Sequence, residues 1–262
     1  MKKVLLIGKN SYIGKSFIND FSSEFQIDEF DSINPLTVDV YKGYDTVIHL
    51  AGIAHVSNKK SKKLDELYMK VNRDLAITSA NLAKEAGVKQ FIFMSSMIIY
   101  GKDKRIGKTY EISKETMPNP ENAYGRSKLE ADLYIQGLNS DSFNTLVIRT
   151  PMVYGEGCKG NYPKLLKLAE KLPILPKIHN KRSVIEIHNL TKFFKDSINS
   201  NSNGVLYPQD EEYMDTTKVM IEHRSSLGKK SHQSVFLRWC VKFASLFIGS
   251  FKKMYSSKIY LR

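Results

Sequence analysis

A tyrosine and a lysine four residues apart are the side chains of this 262-residue chain best placed for acid–base chemistry. Tyr124 and Lys128 hold positions i and i+4, which share one face of a helix. An ammonium group beside a phenol favours the phenolate, so the spacing predicts a Tyr124 pKa lowered from about 10 toward neutrality. Ser96, which ends an apolar run, offers a hydroxyl group to the same oxygen atom of an alcohol or carbonyl compound. A Tyr-x3-Lys pair alone is more often a surface feature, but the three residues together indicate proton exchange with such a compound.

A glycine turn follows the first apolar run, Val4 to Ile7, and opens a helical pattern. Gly8 allows the backbone to turn tightly after a strand, and Gly14 allows the new helix to pack closely on the sheet. The N–H groups at the start of that helix would face a pyrophosphate. The turn therefore predicts a dinucleotide site, and the alternative is a turn that only joins a strand to a helix. The predicted cofactor-binding residues of this turn are Gly8, Ser11, Tyr12, Ile13 and Gly14, with Ser11 where a middle glycine is expected.

Two carboxylates are candidates for the adenosine end of a dinucleotide. Asp31 ends the second predicted strand, where it could bind ribose hydroxyls, and Asp39 precedes the third strand. An acid at the first position favours NAD over NADP because it repels a 2'-phosphate. Lys9, beside the turn, favours the opposite choice. We therefore expect NAD(P)H and leave NADH or NADPH open, and for each aspartate the alternative is a solvated loop carboxylate.

The first 150 residues alternate short apolar runs with longer helical patterns, which is typical of a parallel sheet built from βαβ units. The predicted strands are residues 4–7, 25–30, 46–50, 91–94 and 145–149, and the predicted helices are residues 13–21, 64–86 and 124–138. We expect an α/β fold, a Rossmann-like doubly wound parallel sheet whose ligand lies beyond the carboxyl ends of its strands. Residues 1–150 form the predicted dinucleotide-binding domain, and residues 151–262 a smaller C-terminal substrate-binding lobe.

The distribution of charge separates the end of the chain from the rest. The formal net charge is +13, yet residues 223–262 hold nine basic residues and no acidic one, so the preceding residues carry only +4. No groove-reading or RNA-binding module accompanies these basic residues, and nucleic acid is therefore not an expected partner.

Cysteine and histidine usage predicts neither a disulfide nor a metal site. Cys158 and Cys240 lie far apart, which fits a reducing compartment. His49 on a strand is expected to be packed, and His55 and His188 lack metal-ligand spacing. The N-terminal apolar run is too short for a signal peptide, and no run reaches the roughly 18 apolar residues of a membrane span. We expect a cytoplasmic protein.

Residues 234–249 form an apolar segment with Arg238 and Lys242 four residues apart on one side. A helix of this kind can lie on an anionic bilayer, which would give a weak contact at the inner membrane face. The favoured alternative is that the segment packs on the smaller lobe, closes the substrate pocket and exposes its lysines to solvent.

Six motifs resemble the extended short-chain dehydrogenase/reductase superfamily, the NAD-dependent epimerases and dehydratases of nucleotide sugars, over nearly the whole chain. They are the Gly8 to Gly14 turn, His49 to Gly52, Val71-Asn72, Ser95 to Gly101, Tyr124 with Lys128, and Arg149 to Gly155. A narrower similarity, to the capsule and O-antigen branch, lies in Gly155 to Tyr162, Leu172 to Pro176, Asn180 to Ser183 and Tyr207 to Asp210. Within that branch the chain most resembles the 4-reductases of UDP-4-keto-6-deoxy-N-acetylhexosamines, the UDP-N-acetylfucosamine synthase type.

The resemblance implies roles for several of the matching residues, and a homodimer. Ser96, Tyr124 and Lys128 take the catalytic positions. The implied cofactor-binding residues are those of the glycine turn with Asp31, Asp39, Val40, Leu50, Ala51, Gly52, Tyr124 and Lys128. The implied substrate-binding residues are Ser96, Met97, Tyr124, Asn161 and Arg182, the last two on the nucleotide diphosphate. Met152 stands where many sugar epimerases have an asparagine that contacts the sugar nucleotide.

The reaction implied by the resemblance is nicotinamide-dependent reduction of the C4 keto group of such a UDP-sugar, for capsule or O-antigen polysaccharide. One alternative is a UDP-glucose or UDP-N-acetylhexosamine 4-epimerase that uses the same three residues and a tightly bound NAD. A second alternative is a non-catalytic dinucleotide sensor on the same scaffold.

Overall fold

The computed structural model describes residues 1–54, 61–101 and 103–262, so His55 lies outside the described residues. The chain divides into two compact units. The first unit comprises Met1–Gly101, Pro118–Glu156 and Ile185–Pro208, and the second comprises Lys102–Met117, Gly157–Val184 and Gln209–Arg262. These boundaries differ from the expected division at residue 150. Residues 185–208 return to the first unit because they supply a helix and an edge strand to its sheet.

The strands and helices are numbered in chain order. The strands are β1 (Lys3–Ile7), β2 (Gln26–Phe30), β3 (Thr46–His49), β4 (Gln90–Ser96), β5 (Thr109–Ile112), β6 (Asn144–Thr150), β7 (Met152–Tyr154), β8 (Ile174–Pro176), β9 (Val184–Glu186), β10 (Gly204–Leu206), β11 (His232–Ser234) and β12 (Ser257–Tyr260). The helices are α1 (Tyr12–Phe21), α2 (Lys62–Tyr68), α3 (Leu75–Glu85), α4 (Ala123–Gln136), α5 (Asn161–Lys171), α6 (Ile187–Asn199), α7 (Thr216–Ser226), α8 (Val235–Ala244) and α9 (Gly249–Tyr255).

Six strands of the first unit form one parallel sheet in the order β10-β6-β4-β3-β1-β2. β1 lies between β2 and β3, so the winding of the chain reverses after β2. This arrangement confirms the predicted doubly wound α/β fold. Parallel sheets with this reversal bind ligands beyond the carboxyl ends of the strands that flank the reversal, here β1 and β3.

Successive side chains of a strand lie on opposite faces of a sheet. In this sheet side chains on both faces are buried. Leu5 and Ile7 pack in a core with the alanines of α3 and with α4. Val4 and Leu6 pack in a second core with Phe17 of α1 and with α6. The near-continuous apolar strands of the sequence therefore reflect helices on both faces.

The helix expected over residues 64–86 is interrupted. α2 ends at Tyr68, a π-helical turn spans Met69–Asp74, and α3 begins at Leu75. The wider turn accommodates Asn72, which is fully buried.

The second unit contains two short parallel strand pairs, β5 with β12 and β8 with β11. All four residues of β12 are buried. The apolar segment expected as one helix over 234–249 forms α8 and a turn, and α9 begins only at its last residue, Gly249. Ser234 caps α8 by accepting a hydrogen bond from Leu237 N at 3.1 Å. Val241 of α8 is buried in a core of this unit, which confirms that one side of the segment packs on the smaller unit.

Within the described ranges, no helix is long and apolar enough to cross a bilayer. The same part of the chain contains no group of three or more His, Cys, Asp or Glu side chains arranged to hold a metal ion.

Candidate functional site

Ser96 and Tyr124 meet at the carboxyl end of β4. Ser96 is the last residue of β4, and its Oγ accepts a hydrogen bond from Ile98 N at 3.3 Å, which starts a short 3-10 helix. Tyr124 is the second residue of α4, whose start is capped by Asn122 accepting from Gly125 N at 2.8 Å. The Ser96 side chain is close enough to the phenol of Tyr124 to lower its pKa. The structure thus brings together two of the three residues that the sequence singled out.

The protonation expected for Tyr124 was wrong. Burial raises the pKa of the Tyr124 phenol; the Ser96 side chain lowers it by less, and Tyr68 raises it further. The Tyr68 and Tyr124 ring centroids lie 5.7 Å apart. The phenol is therefore protonated at neutral pH, because in this position loss of solvent outweighs the neighbouring donors.

Lys128 lies one helical turn after Tyr124, with only 7% of its surface exposed. Its Nζ donates a hydrogen bond to Met94 O at 2.8 Å and lies 4.9 Å from the centroid of the Phe93 ring. Burial lowers the pKa of Lys128 to about 8, and the negative charge of Asp132 acts in the opposite direction. The ammonium group is thus held against β4.

Asn72 ties the loop after β3 to α4. Its Oδ1 accepts a hydrogen bond from Ile53 N at 2.8 Å, and its Nδ2 donates to Ile53 O at 3.0 Å and to Ser127 Oγ at 3.3 Å. A Cβ atom on Gly52 would lie 3.0 Å from Asn72 Oδ1 and 3.3 Å from Lys128 Nζ. The sequence analysis gave Asn72 no role, although a polar residue within an Ala- and Leu-rich helical pattern was the available signal.

A buried ion pair joins α4 to the sheet. Asp132 is fully buried, and its two carboxylate oxygens accept hydrogen bonds from Arg149 Nε at 3.0 Å and Nη2 at 2.9 Å. Ser95 Oγ and Gln136 Nε2 each donate to the same carboxylate at 2.6 Å. Because Ser95 precedes Ser96 and α4 carries Tyr124, this pair fixes the two elements that form the site.

Two tyrosines complete the coordination of Arg149. Its Nη1 donates to Tyr100 OH at 2.8 Å and to Tyr207 OH at 3.1 Å. The network therefore also reaches the 3-10 helix after β4. Sequence reasoning missed it, because its members lie on separate elements.

The glycine turn and the loop after β3 contact each other where the winding reverses. Leu50 N and Ala51 N both donate to Ile7 O, at 2.9 and 2.8 Å. Gly8 has a φ of +119°, and a Cβ atom on it would lie 2.8 Å from Ala51 N. Only glycine lets the turn pass this loop, so two groups of predicted cofactor-binding residues are adjacent.

The remaining turn residues shape the start of α1. Ser11 caps the helix by accepting a hydrogen bond from Gly14 N at 3.0 Å. A Cβ atom on Gly14 would lie 2.7 Å from Ser11 Oγ. Tyr12 OH donates to Glu156 O at 2.9 Å, and Ile13 packs against a core of the sheet. Ser11 thus uses its side chain for capping where a glycine was expected.

The predicted adenosine-end carboxylates have different surroundings. Phe30 O accepts hydrogen bonds from Gly8 N at 3.0 Å and Lys9 N at 3.2 Å, so Asp31 directly follows a residue bonded to the glycine turn. Asp39 forms an ion pair with Lys42 at 2.6 Å, with 80% of its side chain exposed.

Asp39 therefore has the contacts of a solvated loop carboxylate. The next residue, Val40, packs against the core between α3 and the sheet.

The predicted substrate-binding residues are divided between the units. Met97, next to Ser96, is buried in the first unit, whereas Asn161 is the exposed first residue of α5 in the second unit. Arg182, also in the second unit, donates through Nη1 to Lys253 O at 2.7 Å and Ser256 O at 3.2 Å. The Arg182 side chain is half-buried, and burial lowers the pKa of its guanidinium, with the charge of Asp103 acting in the opposite direction.

His49 is packed, as expected from its position on a strand. Its ring lies 6.1 Å, centroid to centroid, from each of Phe91 and Phe93. Burial lowers the pKa of His49 to about 3, the positive charge of Lys128 lowers it too, and a backbone contact with Ala51 acts in the opposite direction. The imidazole is therefore neutral.

Comparison with known proteins gives one family match and several relatives. A sequence model of the NAD dependent epimerase/dehydratase family matches residues 4–193. The chain is 31% identical to the UDP-glucose 4-epimerase of Vibrio cholerae over 251 residues, which cover 91% of this chain and 76% of the relative. It is 24% identical over 250 residues to the N-acetyl-alpha-D-glucosaminyl-diphospho-ditrans,octacis-undecaprenol 4-epimerase of Escherichia coli O157:H7, covering 87% and 73% of the two chains. Its fold is similar to that of the UDP-glucuronic acid 4-epimerase of Bacillus cereus, with a TM-score of 0.73 at 17% identity over 88% of this chain and 85% of the other.

Proposed function

Because the chain belongs to the NAD dependent epimerase/dehydratase family, we propose that it transfers a hydride at C4 of a nucleotide-activated sugar with a nicotinamide dinucleotide. The observation that carries this proposal is the proximity of Ser96 to Tyr124, with Lys128 buried one turn further along α4. Lys128 Nζ lies close to Gly52, and Ala51 lies close to Gly8 of the glycine turn, because a Cβ atom on either glycine would be within 3.3 Å of its neighbour. Proton transfer and dinucleotide binding would therefore occur at neighbouring points of one sheet edge.

The residues present fit a dinucleotide. α1 begins directly after the glycine turn, so its positive dipole end suits a pyrophosphate. Asp31 follows the residue whose carbonyl is bonded to the turn, which suits ribose hydroxyls. When bound, the nicotinamide would supply or accept the hydride. We propose Gly8, Ser11, Tyr12, Ile13, Gly14, Asp31 and Leu50 to Gly52 as its contacts, and leave the choice between NAD and NADP open.

The side chains of the site suit proton donation to a keto oxygen. Tyr124 is held protonated by burial, so it would give its proton to the oxygen on C4 as that oxygen gains charge. Ser96 would hold the same oxygen through its hydroxyl group. Lys128 would keep a positive charge below the site and bind the nicotinamide ribose. Asn161 and Arg182 remain predicted contacts of the nucleotide diphosphate.

The specific reaction that we propose is reduction of a UDP-4-keto-6-deoxy-N-acetylhexosamine by a cytoplasmic enzyme of capsule or O-antigen synthesis. The sequence resemblance supports this direction of reaction. The second candidate is a UDP-sugar 4-epimerase, which the 31% identity to the Vibrio cholerae enzyme supports.

Tyr124→Phe tests the shared acid–base step. We expect turnover to fall by about 10² to 10⁴-fold, since a positioned general acid contributes that much, while dinucleotide binding persists. Tyr134→Phe is the matched control, because Tyr134 lies on the same helix, is 44% exposed and contacts Asn81. Turnover of Tyr124→Phe equal to that of this control would refute the assignment.

A panel of UDP-sugars separates the two candidates. The purified protein is incubated with UDP-4-keto sugars and NADH or NADPH, and in parallel with UDP-glucose and UDP-N-acetylhexosamines without added cofactor. Stoichiometric loss of nicotinamide absorbance supports the reductase. Interconversion of UDP-hexoses without added cofactor supports the epimerase, and binding of dinucleotide without turnover of any sugar would support a sensor.

A further inference from the structure

An exposed apolar surface covers one side of α8 and the turn after it. This surface, called the apolar face below, consists of Val235, Phe236, Trp239, Phe243, Leu246, Phe247 and Ile248, each between 48% and 78% exposed. The opposite side of α8 is fixed, since Val241 packs with Ile106, Ile178 and Tyr255. The apolar face is therefore presented by a folded helix that is anchored on the core of the second unit.

Positive charge surrounds the centre of the apolar face. The Arg238 guanidinium lies 5.3 Å from the Trp239 ring centroid, and Lys242 Nζ lies 5.5 Å from it. Lys252 and Lys253 follow in α9, and residues 223–262 include no acidic residue. Aromatic side chains combined with unopposed positive charge are complementary to anionic headgroups above a hydrocarbon layer.

We propose that the apolar face docks on the surface of an anionic lipid bilayer, with Trp239 at the level of the headgroups. Contiguous exposed apolar surface of this kind marks an interaction site and not ordinary solvated surface. A second copy of the chain is a poorer occupant, because a symmetric contact would bring Arg238 and Lys242 of both copies together without a carboxylate. The inference goes beyond the proposed function, since docking requires neither sugar nor dinucleotide.

Trp239 is the single tryptophan of the chain, so its fluorescence reports docking without a label. The full-length protein is titrated with vesicles of equal parts phosphatidylcholine and phosphatidylglycerol, and with vesicles of phosphatidylcholine alone. We expect Trp239 emission to shift to shorter wavelength and the protein to sediment with the mixed vesicles, more weakly as salt is raised. Unchanged emission and no sedimentation with the mixed vesicles would overturn the proposal. An emission shift that grows with protein concentration without lipid would also overturn it, in favour of a second copy.

Point variants are preferable to truncation, because residues 257–260 form the buried strand β12. Phe236→Gln with Phe247→Gln removes two side chains that are 78% and 76% exposed, and it should lower the vesicle partition coefficient by about 100-fold or more. The matched control is Leu133→Gln with Met117→Gln, at 56% and 81% exposure, neither of which belongs to the apolar face. Equal partitioning of the two double variants would overturn the proposal.

A charge variant tests the electrostatic part. Lys242→Gln should weaken partitioning by about fivefold, since one basic residue near an anionic surface contributes about that much and Lys242 Nζ lies 5.5 Å from the Trp239 ring centroid. Lys192→Gln on α6 is the exposed control. An effect of Lys242→Gln no larger than that of Lys192→Gln would contradict the assignment of anionic lipid. All of these variants should keep their turnover of soluble UDP-sugar, so failure of docking is distinguishable from failure of the proposed function.

Discussion

Removal of Arg149 tests whether the buried ion pair holds α4 against the sheet. Arg149→Met leaves the fully buried Asp132 carboxylate with two of its four hydrogen bonds, those from Ser95 and Gln136. Removing one partner of a buried pair costs about 3–5 kcal/mol. Since 1 kcal/mol shifts the melting temperature by roughly 2–4 °C at this chain length, we expect it to fall by about 6–20 °C.

Thermal unfolding followed by circular dichroism measures this effect. The control is Lys195→Met, which removes a solvent-exposed ion pair with Glu24 at 2.7 Å and should cost less than about 1 kcal/mol. Combining Asp132→Asn with Arg149→Met removes the unpaired charge, so the double variant should recover much of the loss and remain measurable. A fall for Arg149→Met no larger than that for Lys195→Met would refute the reasoning.

Arg149→Met should also affect turnover. Because Ser95 adjoins Ser96 and α4 carries Tyr124, loss of the Asp132–Arg149 ion pair should let the hydroxyl groups of Ser96 and Tyr124 move apart. A displacement near 1 Å can cost about 100-fold in rate. Arg149→Met assayed below its melting temperature should therefore lose turnover, and unchanged turnover would separate the network from the site.

Two further predictions concern single positions. Lys128→Met should abolish turnover but raise the free energy of unfolding at pH 7 by up to about 3 kcal/mol. Burial lowers the pKa of the Lys128 ammonium to about 8, so the folded state disfavours the charged form of this side chain. Urea unfolding should show this gain in stability below pH 8 and its loss as the pH rises toward about 10.4, the pKa of lysine in the unfolded chain. A gain in stability that does not depend on pH would contradict the prediction. Gly101→Ala should lower the free energy of unfolding by about 2–4 kcal/mol, because the φ of Gly101 is +68° and the new Cβ atom would lie 2.1 Å from Asn119 O. The control is Gly43→Ala, because the φ of Gly43 is +80° but no atom lies within 4 Å of the Cβ position. It should lower the free energy of unfolding by only about 1–2 kcal/mol. Equal losses of stability for the two variants in a denaturant titration would rule out the clash with Asn119.

Features set by neighbouring residues could be predicted from the sequence. The strand-turn-helix from Val4 to Phe21 and the position of Ser96 at the end of β4 depend on local propensities and on short apolar runs. The helical spacing of Tyr124 and Lys128 depends only on the 3.6-residue repeat. These are the parts of the fold and site that the structure reproduces.

Features set by tertiary packing could not be predicted in the same way. Asp132 and Arg149 meet because α4 packs on β6, and no spacing rule links them. The one signal was that Asp132 stands four residues after Lys128, on the same side of α4. The protonation of Tyr124 was also mispredicted, because burial, which the spacing does not give, outweighs the charge that it does.

The pairing of β5 with β12 has a consequence for the order in which a growing chain acquires its structure. Every strand of the six-stranded sheet is synthesised by Leu206, whereas β5, at Thr109–Ile112, pairs with a strand made about 145 residues later. At 5–20 residues per second, this delay lasts roughly 7–30 s on the ribosome. During that time an unpaired strand edge stays open to other chains. Translation of β12, the last strand of the second unit, and not closure of the sheet, therefore ends the interval in which the nascent protein is exposed to aggregation.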